Sequence, residues 1–171
     1  LAVNSPSLCA GSTVTLTATG ATSYTWSPAT GLNNANLATV VASPAVTTNY
    51  TLTGANGICT ATALATVSVT PTPTLAVTPA STTICSGTSA NLSVSGAANY
   101  TWSPATGLNN ANAASVVASP ATTSTYTITG ANGTCTNTAV TTLSVVPVPT
   151  VAVTPTLVGI CSGSSTNLSA S

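Results

Sequence analysis

The residues with the most chemistry to offer are five cysteines, at positions 9, 59, 85, 135 and 161. A thiolate can hold zinc, attack a substrate or join a disulfide. Zinc sites need ligands at close spacing, and no CxxC pair occurs in this chain. No acid, base or histidine is present to activate a thiol. Disulfide formation is the chemistry that remains. Cys9, Cys85 and Cys161 stand 76 residues apart, as do Cys59 and Cys135, so the cysteines belong to a repeat. Pairing within each copy, Cys9–Cys59 and Cys85–Cys135, makes every unit self-sufficient and is the expectation. It leaves Cys161 to pair outside residues 1–171, as in a window on a longer array. The alternative is a bridge between neighbouring copies, such as Cys9–Cys135. It arises because Cys9 precedes the second strand and Cys59 opens the last, which can put them at opposite ends of one sandwich.

The rest of the composition removes whole classes of function. The chain holds no Lys, Arg, Asp, Glu or His. General acid–base catalysis needs a group that titrates near working pH, and a Ser or Thr nucleophile needs a base beside it. Calcium and magnesium sites need carboxylates, and nucleic-acid binding needs Lys and Arg to neutralise phosphates. An enzyme is therefore not expected, nor a metal, a cofactor or a nucleic-acid partner. No apolar run approaches the roughly 18 residues of a membrane span. Nothing at the N-terminus has the basic segment and long apolar core of a signal peptide, so the chain reads as a mature or excised piece.

The cysteines sit in elements that repeat with them. "SYTWSPATGLNNAN" at 23–36 returns as "NYTWSPATGLNNAN" at 99–112. Two near-complete copies, 1–71 and 74–147, are followed by the start of a third at 150–171. Proline-alternating "TPTPT" (70–74) and "VPVPT" (146–150) mark the boundaries, since proline cannot continue a central strand. Within a copy, "TVTLTAT" (13–19) alternates with Val14, Leu16 and Ala18 on one face. "SYTW" (23–26), "LATVVAS" (37–43), "NYTLTG" (49–54) and "CTATALATVSV" (59–69) predict further strands, the last with Ala61, Ala63, Ala65, Val67 and Val69 inward. "GANG" (54–57) predicts a turn with positive φ available at Asn-Gly. Six or seven short strands with no helical period predict an all-β sandwich in each copy.

Tyr24, Trp26 and Tyr50, with their equivalents Tyr100, Trp102 and Tyr126, are the expected core aromatics. Tyr50 and Tyr126 could also form a tyrosine corner. A sugar-stacking platform at Tyr24 and Trp26 is the alternative use. "GLNNAN" (31–36 and 107–112) reads as turn chemistry, with Asn33, Asn34, Asn109 and Asn110 as the residues of a ligand-contacting loop in the alternative reading. Without lysine guards the sheet edges are expected to be open, and a neutral surface favours association.

The segments Cys85–Gly87, Tyr100–Trp102, Ser124–Ile128 and Gly133–Cys135 resemble the C-x-G, Y-x-W, T-x-Y-x-[VI] and G-C-T motifs of the immunoglobulin-like tandem repeats of Bacteroidota surface proteins. Ser124 replaces the usual threonine, and Thr134 separates Gly133 from Cys135. The resemblance covers nearly the whole chain. It implies tandem immunoglobulin-like sandwiches strung as beads on a rod, in a large extracellular, cell-surface adhesin of the kind used in gliding and exported by the type IX system. The partners it implies are neighbouring repeats of the same chain, with lateral self-association into filaments. The expected function is a disulfide-stapled structural rod. A glycan- or surface-binding module and a passive spacer are the alternatives.

Overall fold

A computed structural model describes residues 1–171, and every regular element in it is a strand. The first copy contains β1 (Ala2–Val3), β2 (Ser7–Cys9), β3 (Val14–Thr19), β4 (Ser23–Ser27), β5 (Thr39–Ala42), β6 (Thr48–Asn56) and β7 (Cys59–Thr70). They form a three-stranded sheet β1-β3-β5 and a four-stranded sheet β2-β7-β6-β4. All pairings are antiparallel except β2 with β7, which run parallel. The second copy repeats this plan with β8 (Ala76–Thr78), β9 (Ser81–Cys85), β10 (Ala90–Ser95), β11 (Asn99–Ser103), β12 (Ser115–Ala118), β13 (Ser124–Asn132) and β14 (Cys135–Val146), in sheets β8-β10-β12 and β9-β14-β13-β11. The third copy contributes only the short pair β15 (Val153–Thr154) and β16 (Ser169–Ala170), and all its side chains are exposed. A two-stranded ribbon has no second layer against which to bury an apolar face.

Alternation decides what each sandwich encloses. In β3 the threonines face water while Leu16 and Ala18 are buried, and β10 does the same with Leu92 and Val94. The first core gathers Leu16, Trp26, Val40, Tyr50, Leu52 and Val67; the second gathers Leu92, Trp102, Val116, Tyr126, Ile128 and Leu143. Each cluster lies between its own pair of sheets. The outer halves of the long strands behave differently from the simple alternation. Ala61 is exposed and Ala63 only half-buried, because the β6–β7 hairpin runs on past the opposing three-stranded sheet. The turn also lies later than "GANG" implies. Gly54 and Ala55 remain paired in β6, Asn56 faces Cys59, and the reversal falls on Gly57 and Ile58, with positive φ at Gly57 alone.

Candidate functional site at the junction between repeats

The parallel pairing of β2 with β7 fixes where the cysteines go. Cys9 lies opposite Thr70, the last residue of β7, whereas Cys59 is the first residue of that 12-residue strand. At about 3.3 Å per residue the two sit roughly 36 Å apart along the strand. A disulfide tolerates a Cα separation of at most about 7 Å. The second copy has the same geometry, with Cys85 opposite Val146 and Cys135 opening β14. The expected pairs Cys9–Cys59 and Cys85–Cys135 are therefore not the ones formed. Cys9 bonds instead to Cys135 across the junction, with Cα atoms 5.6 Å apart, and Cys59, Cys85 and Cys161 are free and exposed.

The bond places the tail end of the first sandwich, where β7 leaves, against the β13–β14 hairpin of the second. Cys135 is buried there, with its Sγ 3.8 Å from the Thr70 carbonyl oxygen. On the same hairpin Asn137 donates its Nδ2–H to the Pro73 carbonyl at 2.9 Å, and Pro73 itself is buried. The start of the second copy is held equally closely. A Cβ on Gly96, at φ +104°, would collide with the Thr74 carbonyl oxygen, so only glycine lets the linker pass there. Two covalent routes thus join the sandwiches: the proline-containing linker and the disulfide. The disulfide closes a loop of 126 residues that contains most of both cores. By loop-closure entropy such a crosslink stabilises the fold by about 5 kcal/mol, at the upper end of the usual range.

The aromatics and the "GLNNAN" loops serve the sandwich interiors and their edges. Trp26 and Trp102 are buried, and each donates its Nε1–H at 2.9 Å to a carbonyl, of Leu37 and Ala113 respectively. Tyr50 and Tyr126 are fully buried and donate their hydroxyls at 3.0 Å to the Thr30 and Thr106 carbonyls, so they anchor a loop 20 residues upstream rather than closing a corner beside their own strands. Burial raises the pKa of both phenols above its ordinary value; for Tyr126 a hydrogen bond with Ser124 acts in the lowering direction. Tyr24 is half-buried, and its hydroxyl bonds both the N–H and the carbonyl of Ala21. Tyr100 accepts the Ala97 N–H at 2.8 Å. The Trp26 and Trp102 rings are therefore inside the sandwich, and only Tyr24 and Tyr100 are partly exposed.

The repeated loop covers two strand edges. Asn33 bonds Val41 of β5 twice, its backbone N–H reaching the Val41 carbonyl at 3.0 Å and its Oδ1 accepting the Val41 N–H at 2.7 Å. The Gly31 carbonyl accepts the Ser43 N–H, and the Ala35 carbonyl accepts the Trp26 N–H of β4, both at 2.7 Å. Asn109 does for Val117 what Asn33 does for Val41. Asn34 and Asn110 use their Oδ1 atoms on the N–H groups of Asn36 and Asn112. The loop thus covers the β5 edge at Val41 and the β4 edge at Trp26, although lysine guards are missing; the β1 and β2 edges lie outside its reach. Nothing in the sequence alone separated this role from a ligand loop, because the partners lie in different strands.

No protein-family model and no curated protein matches the chain. Solved structures do. The chain is similar to extracellular domains 3–5 of Drosophila OTK, with 14% identity over 84% of this chain and 59% of that one, at a TM-score of 0.54. It is also similar to a three-immunoglobulin-domain fragment of titin, with 16% identity over 85% of this chain and 64% of that one, at a TM-score of 0.49. Immunoglobulin domains 1–4 of Sidekick-1 give 14% identity over 85% of this chain and 48% of that one, also at 0.49. The chain spans about three-fifths of the OTK and titin fragments. At such identity the likeness to OTK establishes the fold alone: this is an all-β chain of immunoglobulin-like sandwiches.

Proposed function

We propose that the chain is a structural repeat region of an extracellular, cell-surface adhesin or filament, in which residues 1–71 and 74–147 are successive modules of a stiffened rod and 150–171 opens a third. One observation carries this reading: Cys9–Cys135 joins neighbouring sandwiches beside the linker, which restricts bending and twisting between them. Disulfides persist in oxidising, extracellular settings, which fits the proposed location. The resemblance to Bacteroidota surface repeats agrees with it. Rods that associate sideways into filaments would meet through sheet faces, where Leu64 and Val140 are exposed, or along the β1 and β2 edges, which the loop does not reach. The test is electron microscopy of the full-length particle bearing these repeats, with surface labelling on intact cells. Beads at a constant interval along a thin, labelled fibre are expected. A compact globule, or label reaching the repeats only after lysis, contradicts the reading.

A further inference from the structure

Each four-stranded sheet ends on a strand shorter than the one it pairs with. β2 meets β7 only over Ser68–Thr70, so residues 59–67 of β7 have β6 on one side and no strand on the other. Alternation fixes which backbone groups face that side. The Ser68 N–H reaches the Pro6 carbonyl and the Thr66 N–H reaches the Ser5 Oγ, both at 3.1 Å, and the Thr70 carbonyl accepts from Ala10. With a period of two, the N–H and carbonyl groups of Thr60, Thr62 and Leu64 point the same way, away from β6. Their side chains are exposed. No proline and no charge interrupts the run "CTATALATV" (59–67) to guard this edge.

The second repeat guards the same edge. β9 covers β14 as far back as Thr142, whereas β2 stops at Ser68, the equivalent of Ser144. Beyond β9, Asn137 accepts the Thr138 N–H on its own Oδ1 at 2.8 Å, while its Nδ2 is tied to the Pro73 carbonyl. That amide plugs the middle of the open stretch. The first repeat has Ala61 at this position, so the Thr62 N–H has no such plug. A neighbouring module does not remove the contrast: at the formed junction Cys135 is buried, but Thr136, Thr138 and Val140 stay exposed.

We propose that the Thr60–Leu64 edge of β7 is a strand-addition site, and that its occupant is the same edge of a second copy, paired antiparallel about Thr62. This two-fold register sets Thr62 opposite its own counterpart and Thr60 opposite Leu64. Because all three residues face outward, each opposing pair exchanges both of its N–H···O bonds. Leu64, 60% exposed in the single chain, packs there against the Thr60 methyl group of the other copy. Charge selects this occupant. A charged strand would leave an ion beside Leu64 with no counter-ion anywhere on this chain, whereas a copy brings no charge at all. The edge is self-complementary, as a two-fold interface requires. The ladder β4-β6-β7 of one copy also continues without a break into β7-β6-β4 of the other. The pairing rests on the reading of the chain as a rod that associates sideways, and names the strand through which rods meet.

The test starts from the full chain with Cys59, Cys85 and Cys161 replaced by serine, so that Cys9–Cys135 is kept and no free thiol crosslinks. Sedimentation equilibrium should show a monomer–dimer equilibrium that salt does not change. Ala61→Asn gives Thr62 the plug that Thr138 has, and Ala61 is exposed, so the core is left alone. Loss of the two central bonds, at about fivefold each, should weaken the dimer about 25-fold. Register is read by Thr62→Cys in the same protein. Directly opposed residues of such a pair lie about 5.5 Å apart, so this variant should crosslink to its copy in a glutathione redox buffer. Thr25→Cys, on the exposed face of β4, should crosslink about tenfold more slowly. A monomer at every concentration, a dimer that Ala61→Asn leaves at full strength, or equal crosslinking by the two cysteine variants overturns the proposal. Those results leave the rod in place, because it stands on Cys9–Cys135 within one chain.

Discussion

Pulling the chain from its two ends should reveal how much of it the junction withholds from force. Tension entering at Leu1 reaches Cys9, crosses to Cys135 and leaves through β14, bypassing everything between. The hidden segment spans 126 residues. At about 3.5 Å per extended residue it holds roughly 440 Å of contour. Only the two tails outside the bond, residues 1–9 and 135–171, can lengthen in the oxidised protein. Replacing both Cys9 and Cys135 by serine should release the full roughly 440 Å as the two sandwiches unfold, read by optical tweezers or force microscopy on single molecules. Replacing Cys59 and Cys85 should change nothing. Bonds within each copy would behave otherwise: each would hide a 50-residue loop of roughly 175 Å, and the stretch from 59 to 85 would extend even when oxidised. Equal contour lengths for the oxidised protein and the Cys9/Cys135 double variant would refute the reasoning.

Other perturbations probe the parts that position the junction. Trp102→Ala empties a buried indole site and should cost about 3–5 kcal/mol in urea unfolding, whereas an exposed platform residue would cost little. Asn109→Ala removes the acceptor that holds the Val117 N–H; about 1 kcal/mol of stability should be lost, and sedimentation should show association through the uncovered β12 edge. Stability against pH should be flat from about pH 3 to 8, since no side chain titrates there when the free thiols are replaced by serine. Tyr50 and Tyr126 have folded pKa values raised by burial above the ordinary 10.0, so the folded state keeps protons that the unfolded chain gives up. Their contribution is complete below about pH 10 and should be lost as pH climbs through the folded values; denaturation midpoints that rise in that range would contradict the burial.

Much of the fold is legible in the sequence because it is written in local alternation. Val14, Leu16 and Ala18 against intervening threonines, or Tyr50 and Leu52 in β6, reveal their inward face without knowledge of any partner strand. Trp26 and Trp102 are placed correctly in the core for the same reason. The disulfide is not local. Choosing between Cys59 and Cys135 as the partner of Cys9 requires knowing that β2 runs parallel to β7 and meets its far end, a fact of topology that no spacing encodes. The repeat period even favours the wrong choice, because it suggests units that are complete in themselves. The "GLNNAN" loop was ambiguous for a related reason. Asn33 is satisfied by Val41 of β5 and the Ala35 carbonyl by Trp26 of β4, and a polar loop looks the same in sequence whether its amides face a ligand or a sheet edge. The turn falls on Gly57 and Ile58, later than "GANG" implies, because pairing of Gly54 with Ala61 carries the ladder past Gly54.

Peptide mapping of the unreduced protein tests the covalent plan most directly. Trypsin cannot be used, for the chain has no Lys or Arg, but pepsin cuts at apolar and aromatic sites under acid conditions that keep thiols protonated and stop exchange. The account predicts one crosslinked species joining the peptides that carry Cys9 and Cys135, with Cys59, Cys85 and Cys161 recovered as thiols from the monomer. Recovery of Cys9 bonded to Cys59, together with Cys85 bonded to Cys135, would contradict it.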